Sequence, residues 1–330
     1  MARKVAVIGD GGWGTALAMT LERNGHDVCV WGPMPDYIDR VRKTGRNDDY
    51  LAGVELPPGI GWTANHAEAV SGAELVLLAS PSKFYARVAE AFAAYIPAAA
   101  EVVSVAKGFD PESSRRLSEV AQASLGRSMV AVLSGPSHAE EVARRVPTAV
   151  VLACVDEGRA RALQPLFMSD RFRVYTSKDV IGVELGGALK NVIAVAVGVS
   201  DGLGFGDNTR AALIARGLAE MSRLGCALGA SPDTFAGLSG LGDLVVTCSS
   251  QHSRNRRVGE RLGSGESLHA ITDGMKQVAE GIENCGIARE LAHAAGVEVP
   301  ITEQVYAMVH EGRDPVEAVN ELMLREARPE

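Results

Sequence analysis

This chain of 330 residues has little cysteine and no pairing pattern in the cysteine it has. Cys29, Cys154, Cys226, Cys248 and Cys285 are odd in number, and none forms a C-x-x-C. With no secretory signal at the start, that usage reads as free thiols in a reducing cytosol, not as a disulfide framework. The apolar run after Arg3-Lys4 is soon broken by Gly9-Asp10-Gly11-Gly12, too early for a signal core. No apolar run approaches the ~18 residues that would cross a bilayer, so no membrane insertion is expected. Positive charge is not in excess: 33 Lys+Arg against 41 Asp+Glu leave a net charge of −8. That balance argues against a nucleic-acid or membrane-surface partner. The seven histidines show no ligand spacing such as H-x-x-x-H, and no metal site is expected. Low-complexity linkers and short repeats are also missing.

What is present is an ordinary core-forming composition, 46% hydrophobic and 22% charged, with 36 glycines. The length suits about two domains. Short β-branched runs at 4–8, 27–31, 74–79, 101–105, 129–134, 148–154 and 172–176 predict strands. Several are apolar throughout, as parallel strands covered on both faces are. Helical patterns fall between them at 15–24, 84–95, 112–125 and 138–145. Alternating β and α predicts a doubly wound α/β sheet with right-handed crossovers. After about residue 180 helical periodicity takes over. The expected architecture is an N-terminal sheet domain, 1–180, followed by an all-helical domain, 181–330.

The stretch Gly9-Asp10-Gly11-Gly12-Trp13-Gly14 follows the first strand and opens a helix. In that context G-x-G-x-x-G is the dinucleotide-binding fingerprint of a Rossmann-type domain. Gly9 allows the tight turn, Gly11 lets the backbone approach a pyrophosphate, and Gly14 lets helix and strand pack closely. The helix N-terminus supplies donors for phosphate. A preference for NAD would place Asp or Glu at the end of the second strand. The chain reads Trp31-Gly32-Pro33 there, with Arg40, Arg42 and Lys43 nearby. Without that acid NADP is allowed, and NADPH is expected to serve at least as well as NADH. Asp10 is out of place, because a carboxylate beside a pyrophosphate is unfavourable unless it points away.

Lys190 sits in "ELGGALKNVIAVAVGV" (184–199), beside a run, Val192–Val199, without one charged or hydrogen-bonding side chain. A lysine enters such surroundings either with a partner, its pKa lowered for acid–base work, or by snorkelling to water. Asp243 and Thr247 in "GDLVVT" are spaced i, i+4, hence on one helix face. Lys107 follows the strand at 101–105, at a carboxyl end where doubly wound sheets bind ligands. "SGPSHA" follows the next strand in the same way. Arg254 in "SRNRR" offers the planar donor fork that a phosphate ester wants. Arg256, Arg257 and Arg261 are expected on a solvated helix face.

Together "GGWGTALA", "SVAKGF", "LSGPSHAEEV", "ALKNVIAVAVGVSDGLGFGDNTRAALIARGLAEM", "GLSGLGDLVVTC" and "SRNRRVG" resemble the motifs of NAD(P)-dependent glycerol-3-phosphate dehydrogenases, in the family's order. The resemblance implies reversible reduction of dihydroxyacetone phosphate to sn-glycerol 3-phosphate, feeding glycerophospholipid synthesis, in a cytoplasmic and commonly homodimeric enzyme. It implies Lys190 as general acid/base, with Asp243 and Thr247 in the active site. It implies substrate contacts from Lys107, Gly135, Ser137, Lys190, Asp243, Ser253, Arg254 and Asn255. Cofactor contacts would come from Gly9, Gly11, Gly12, Trp13, Gly14, Pro33, Lys107, Ala139, Arg254, Val278 and Glu280. Gly12 stands where the family often has serine, so one side-chain contact to phosphate is expected to be missing. Two other readings share the glycine loop. A ketopantoate reductase-like enzyme would not need "SRNR", and a non-catalytic NAD(P) sensor should have lost Lys190, Asp243 or Arg254.

Overall fold

The apolar runs of the first half form one eight-stranded sheet, described here from a computed structural model covering residues 2–273, 275 and 279–326. Its strands are β1 (Lys4–Ile8), β2 (Asp27–Trp31), β3 (Gly61–Thr63), β4 (Leu75–Leu78), β5 (Glu101–Ser104), β6 (Ala131–Ser134), β7 (Thr148–Ala153) and β8 (Phe172–Ser177). Their spatial order is β3-β2-β1-β4-β5-β6-β7-β8. Every pairing is parallel except β6 with β7. The first six strands thus take the dinucleotide-fold order. Val5 and Val7 of β1 enter one core with Val28, Val30, Leu75 and Leu77. Ala6 and Ile8 enter the other with Val76, Leu78 and Val102. Burial on both faces is why these strands carry no polar alternation.

The helices of this half are α1 (Gly12–Arg23), α2 (Pro35–Thr44), α3 (His66–Val70), α4 (Ser82–Phe92), α5 (Leu117–Leu125), α6 (Ala139–Ala143) and α7 (Glu157–Phe167). Sequence patterning does not predict β3, α2, α3 or α7. β3 has three residues, too few to show a period. α3 is set by its Asn65 cap, which accepts from Glu68 N at 3.0 Å. α7 carries Pro165, ordinarily a helix breaker. The helix expected over 112–125 begins only at Leu117. Upstream, the Asp110 carboxylate accepts from Ser113 N and Oγ, and Ser114 turns left-handed at φ 56°.

The chain divides into two compact units, 1–184 and 185–330. α8 (Val180–Gly202) runs across that division. The second unit continues with α9 (Asp207–Ala227), α10 (Pro232–Ala236), a π turn (Leu238–Gly242), α11 (Asp243–Ser249), α12 (Arg254–Gly263), α13 (Leu268–Asp273), α14 (Glu280–Ala295), α15 (Pro300–His310) and α16 (Pro315–Met323). Its described residues hold no strand. The expectation that no segment has the length and apolarity of a membrane span is corrected by α8. This helix has 23 residues and a mean hydropathy of 1.7 over its most apolar window. Gly186, Gly187 and Ala188 extend its apolar run around the single Lys190. That window is 94% buried, so the protein's own side chains cover α8.

Four glycines bring α8 and α12 into backbone contact. A Cβ on Gly198 would lie 2.0 Å from Arg256 O, and one on Gly202 2.2 Å from Glu260 O. A Cβ on Gly259 would lie 2.0 Å from Val195 O, and one on Gly263 2.3 Å from Val199 O. Gly259→Ala should therefore cost about 1–3 kcal/mol or more, read as a fall in melting temperature. Gly206→Ala, where an added Cβ meets nothing within 4 Å, should cost less, about 0.5–1 kcal/mol, through the loss of a favoured N-cap residue of α9.

Candidate active site

Lys190 is not a snorkelling surface lysine: it is 6% exposed. Its Nζ donates to Asp243 Oδ1 at 2.6 Å and to Thr247 Oγ1 at 2.6 Å. The Thr247 hydroxyl donates in turn to the Asp243 backbone carbonyl at 2.6 Å, which leaves its lone pairs to the lysine. Asp243 is 1% exposed and Thr247 3%. The i, i+4 spacing on α11 does what the sequence suggests. The π turn before it delivers Asp243, its i→i+5 bond running from Gly242 N to Gly237 O at 3.1 Å. Glycine makes that turn fit. A Cβ on Gly240 would lie 2.2 Å from Phe235 O, and one on Gly186 of α8 2.3 Å from Ser239 O.

The next helix presents Arg254, exposed at its first position. Ser253, 3% exposed, caps α12 by accepting from Arg256 N at 3.2 Å. Asn255 turns inward: its Nδ2 donates to Asn191 Oδ1 at 2.9 Å, and its Oδ1 accepts from Gly281 N at 2.9 Å. Asn191 Nδ2 reaches Glu280 Oε2 at 3.4 Å. The side chains of Ser253 and Asn255 thus serve the scaffold around Arg254. Asn191 was not singled out in the sequence, although it adjoins Lys190. Val278 lies outside the described residues. The expectation of a solvated face fails for Arg256, whose side chain is 15% exposed and donates to the buried Asp201 at 2.7 Å. Arg210 donates to the same carboxylate at 2.8 Å. Partners distant in sequence cannot be seen in a local charge run. Arg257 is exposed, and Arg261, 41% exposed, pairs with Glu266.

In the first unit the glycine loop has the geometry of a phosphate cradle. Gly9 has φ 130°, and a Cβ there would sit 2.8 Å from Ala79 C and O. A Cβ on Gly14 would lie 2.3 Å from Gly9 O, whereas one on Gly11 meets nothing within 4 Å. The residue that must be small for an approaching ligand is thus the one with open space beside it. No side chain caps α1, whose N-cap is Gly11, so its first N–H groups suit an anion. Trp13 Nε1 donates to Val105 O at 3.1 Å and anchors the loop to the end of β5. Gly12 has its own reason: a Cβ there would sit 2.7 Å from Tyr50 O and 3.5 Å from Ala139 Cβ. Serine would collide with backbone. The residues present fit a nicotinamide dinucleotide.

Beyond β5 and β6, Lys107 Nζ donates to Gly135 O at 2.9 Å, and Ser137 Oγ donates to the same carbonyl at 2.8 Å. Gly135 has φ 138°, which a side chain would strain. Lys107, Gly135 and Ser137 therefore form one cluster. Pro33 is exposed after β2. The end of β2 carries no acid of its own, and in space one from the glycine loop approaches it. The Asp10 carboxylate lies against Gly32, where a Cβ would be 2.3 Å from Oδ2 and 2.6 Å from Cγ.

The chain matches the family described as NAD-dependent glycerol-3-phosphate dehydrogenase, its N-terminal part over residues 4–160 and its C-terminal part over 179–320. It is 50% identical over 328 residues to a glycerol-3-phosphate dehydrogenase [NAD(P)+] of Pelotomaculum thermopropionicum, covering 98% of this chain and 94% of that one. It is 48% identical over 329 residues to a protein of the same name from Geobacillus kaustophilus, covering 99% and 96%. The crystal structure of glycerol-3-phosphate dehydrogenase from Coxiella burnetii superposes with a TM-score of 0.94 at 40% identity, covering 98% and 99%. Glycine cradle, buried lysine pair and sequence likeness agree: the chain belongs to the NAD(P)-dependent glycerol-3-phosphate dehydrogenase family.

Proposed function

We propose that this chain reversibly reduces dihydroxyacetone phosphate to sn-glycerol 3-phosphate, with Lys190 as the general acid/base. The observation that carries the reading is the buried Lys190 Nζ held at 2.6 Å by both Asp243 and Thr247. A nicotinamide cofactor, when bound, supplies or accepts the hydride. As the ketone is reduced, negative charge grows on its oxygen, and the Lys190 ammonium donates a proton there. In oxidation the neutral amine takes that proton back. Asp243 and Thr247 fix Nζ in position, so little orientational freedom is lost as the reaction proceeds. Arg254 serves the substrate phosphate, with Ser253 and Asn255 setting the turn that carries it. The Lys107–Gly135–Ser137 cluster adds a positive charge and a hydroxyl toward substrate. Gly9, Gly11, Gly12, Trp13, Gly14, Pro33 and Ala139 serve the cofactor in the first unit, and Glu280 in the second. Family membership supports the wider reading of a cytoplasmic homodimer supplying glycerophospholipid synthesis.

The test is a nicotinamide-absorbance assay on the purified protein, with NADH and NADPH run separately. Dihydroxyacetone phosphate should be turned over and ketopantoate should not. No absorbance change with dihydroxyacetone phosphate and either cofactor would overturn the reading.

A further inference from the structure

The two residues after Arg254 both turn inward to α8, and they are fastened to it in opposite directions. The first turn of α12 rests on Gly198, where a Cβ would meet Arg256 O at 2.0 Å. From there Asn255 reaches back to Asn191, and Arg256 reaches forward to Asp201, its Nε donating to Oδ2 at 2.7 Å. At about 1.5 Å of rise per residue these two anchors lie roughly 15 Å apart along α8. One anchor would leave the turn able to pivot. Two fix its rotation, and with it the direction of Arg254, the exposed residue at the head of the helix. The Asp201 side chain is 6% exposed. Its other oxygen, Oδ1, accepts from Arg210 Nε at 3.2 Å and Nη2 at 2.8 Å. Arg210, on α9, also donates to Asp207 at 2.7 Å. The carboxylate is thus tied to α9 while it holds α12. Exposed ion pairs count for little, but this one is largely removed from water and hydrogen-bonded through both oxygens, so it is directional.

We propose that Asp201 and Arg256 are positioning residues for the substrate phosphate: their ion pair sets the rotation of the first turn of α12 and so aims Arg254. The proposal rests on reading Arg254 as the residue that meets that phosphate. In this role neither Asp201 nor Arg256 touches the substrate. An arginine fork engages a phosphate through two parallel hydrogen bonds, so its use depends on direction as well as on charge. A misplacement of about 1 Å away from the reacting atoms can cost about a hundredfold in rate. Charge and position predict opposite signs for Asp201. By charge alone, removing this acid should favour an anionic substrate. By position, removing it should harm the use of that substrate, because α12 loses its forward anchor.

The experiment is steady-state kinetics with dihydroxyacetone phosphate and with unphosphorylated dihydroxyacetone, at saturating cofactor. The variants are Arg256→Met and Asp201→Ala, each alone and combined with Arg254→Ala. Methionine keeps much of the arginine stem and leaves Asp201 paired with Arg210, so Arg256→Met cuts the link without stranding a buried charge. Thermal unfolding checks that it folds, and its results decide the matter if Asp201→Ala does not. Arg256→Met should lower kcat/KM for dihydroxyacetone phosphate roughly ten- to hundredfold and leave dihydroxyacetone nearly unchanged. Asp201→Ala should act in the same direction. With Arg254 already replaced by alanine, neither change should add a further loss, because no guanidinium remains to be aimed. Improved use of the phosphorylated substrate by Asp201→Ala would overturn the proposal in favour of a charge effect. Losses that multiply with that of Arg254→Ala, or equal losses on both substrates, would overturn it in favour of a general structural role. So would an unchanged Arg256→Met when Arg254→Ala shows its phosphate-specific penalty. Absence of that penalty in Arg254→Ala itself would overturn the reading of Arg254, and the proposal with it.

Discussion

Replacing Lys190 by alanine should lower kcat roughly 10²- to 10⁴-fold, the usual loss when a positioned acid/base is removed. Cofactor affinity should hardly move, because the residues proposed to hold its phosphates, Gly9–Gly14, do not include Lys190. The substitution also has a structural cost. Lys190 and Asp243 are a buried pair, with side chains 8% and 1% exposed. Breaking such a pair from one side costs about 3–5 kcal/mol. Lost turnover in Lys190→Ala could thus reflect either chemistry or a loosened fold. The double variant Lys190→Met/Asp243→Asn separates them. Methionine keeps most of the volume and the amide removes the stranded charge, so the melting temperature should recover while turnover stays lost. Recovery of near wild-type kcat in the double variant, or its retention in Lys190→Ala, would refute the assignment. Steady-state kinetics and thermal unfolding on the same preparations decide it.

Arg254→Ala should lower kcat/KM for dihydroxyacetone phosphate roughly 30- to 4,000-fold. The range corresponds to about 2–5 kcal/mol for removing one partner of a charged, hydrogen-bonded pair. Arg254 stands exposed at the start of α12, where a substrate phosphate can reach it. Binding energy gained away from the reacting carbon can lower the barrier as well as the Michaelis constant, so kcat should fall too. The penalty should largely vanish with unphosphorylated dihydroxyacetone, measured at saturating cofactor because the same side chain is also assigned to the nucleotide. Equal proportional losses on both substrates would mean that Arg254 organises the site generally and does not recognise phosphate.

Much of this protein was legible in sequence because the relevant patterns are local. Apolar runs such as Val5–Ile8 announce strands covered on both faces, and the spacing of Gly9, Gly11 and Gly14 announces the turn, the approach and the close packing. Lys190 betrayed itself as a charge beside the apolar run Val192–Val199, and Asp243 and Thr247 by their i, i+4 spacing. The resemblance carried by the longer motifs gave these residues their roles. Tertiary structure alone decided the rest, because it depends on pairs far apart in the chain. Arg256 reads as a surface charge until Asp201 is found beneath it. Gly12 reads as a lost serine until the Tyr50 carbonyl appears beside it. β3 is too short to carry a period, and it exists because β2 offers it an edge. The end of β2 looks free of acid because the eye follows the strand, whereas the acid comes from the loop after β1. Residues 10 and 32 become neighbours only when β1 and β2 pair in parallel and bring their carboxyl ends to the same edge of the sheet.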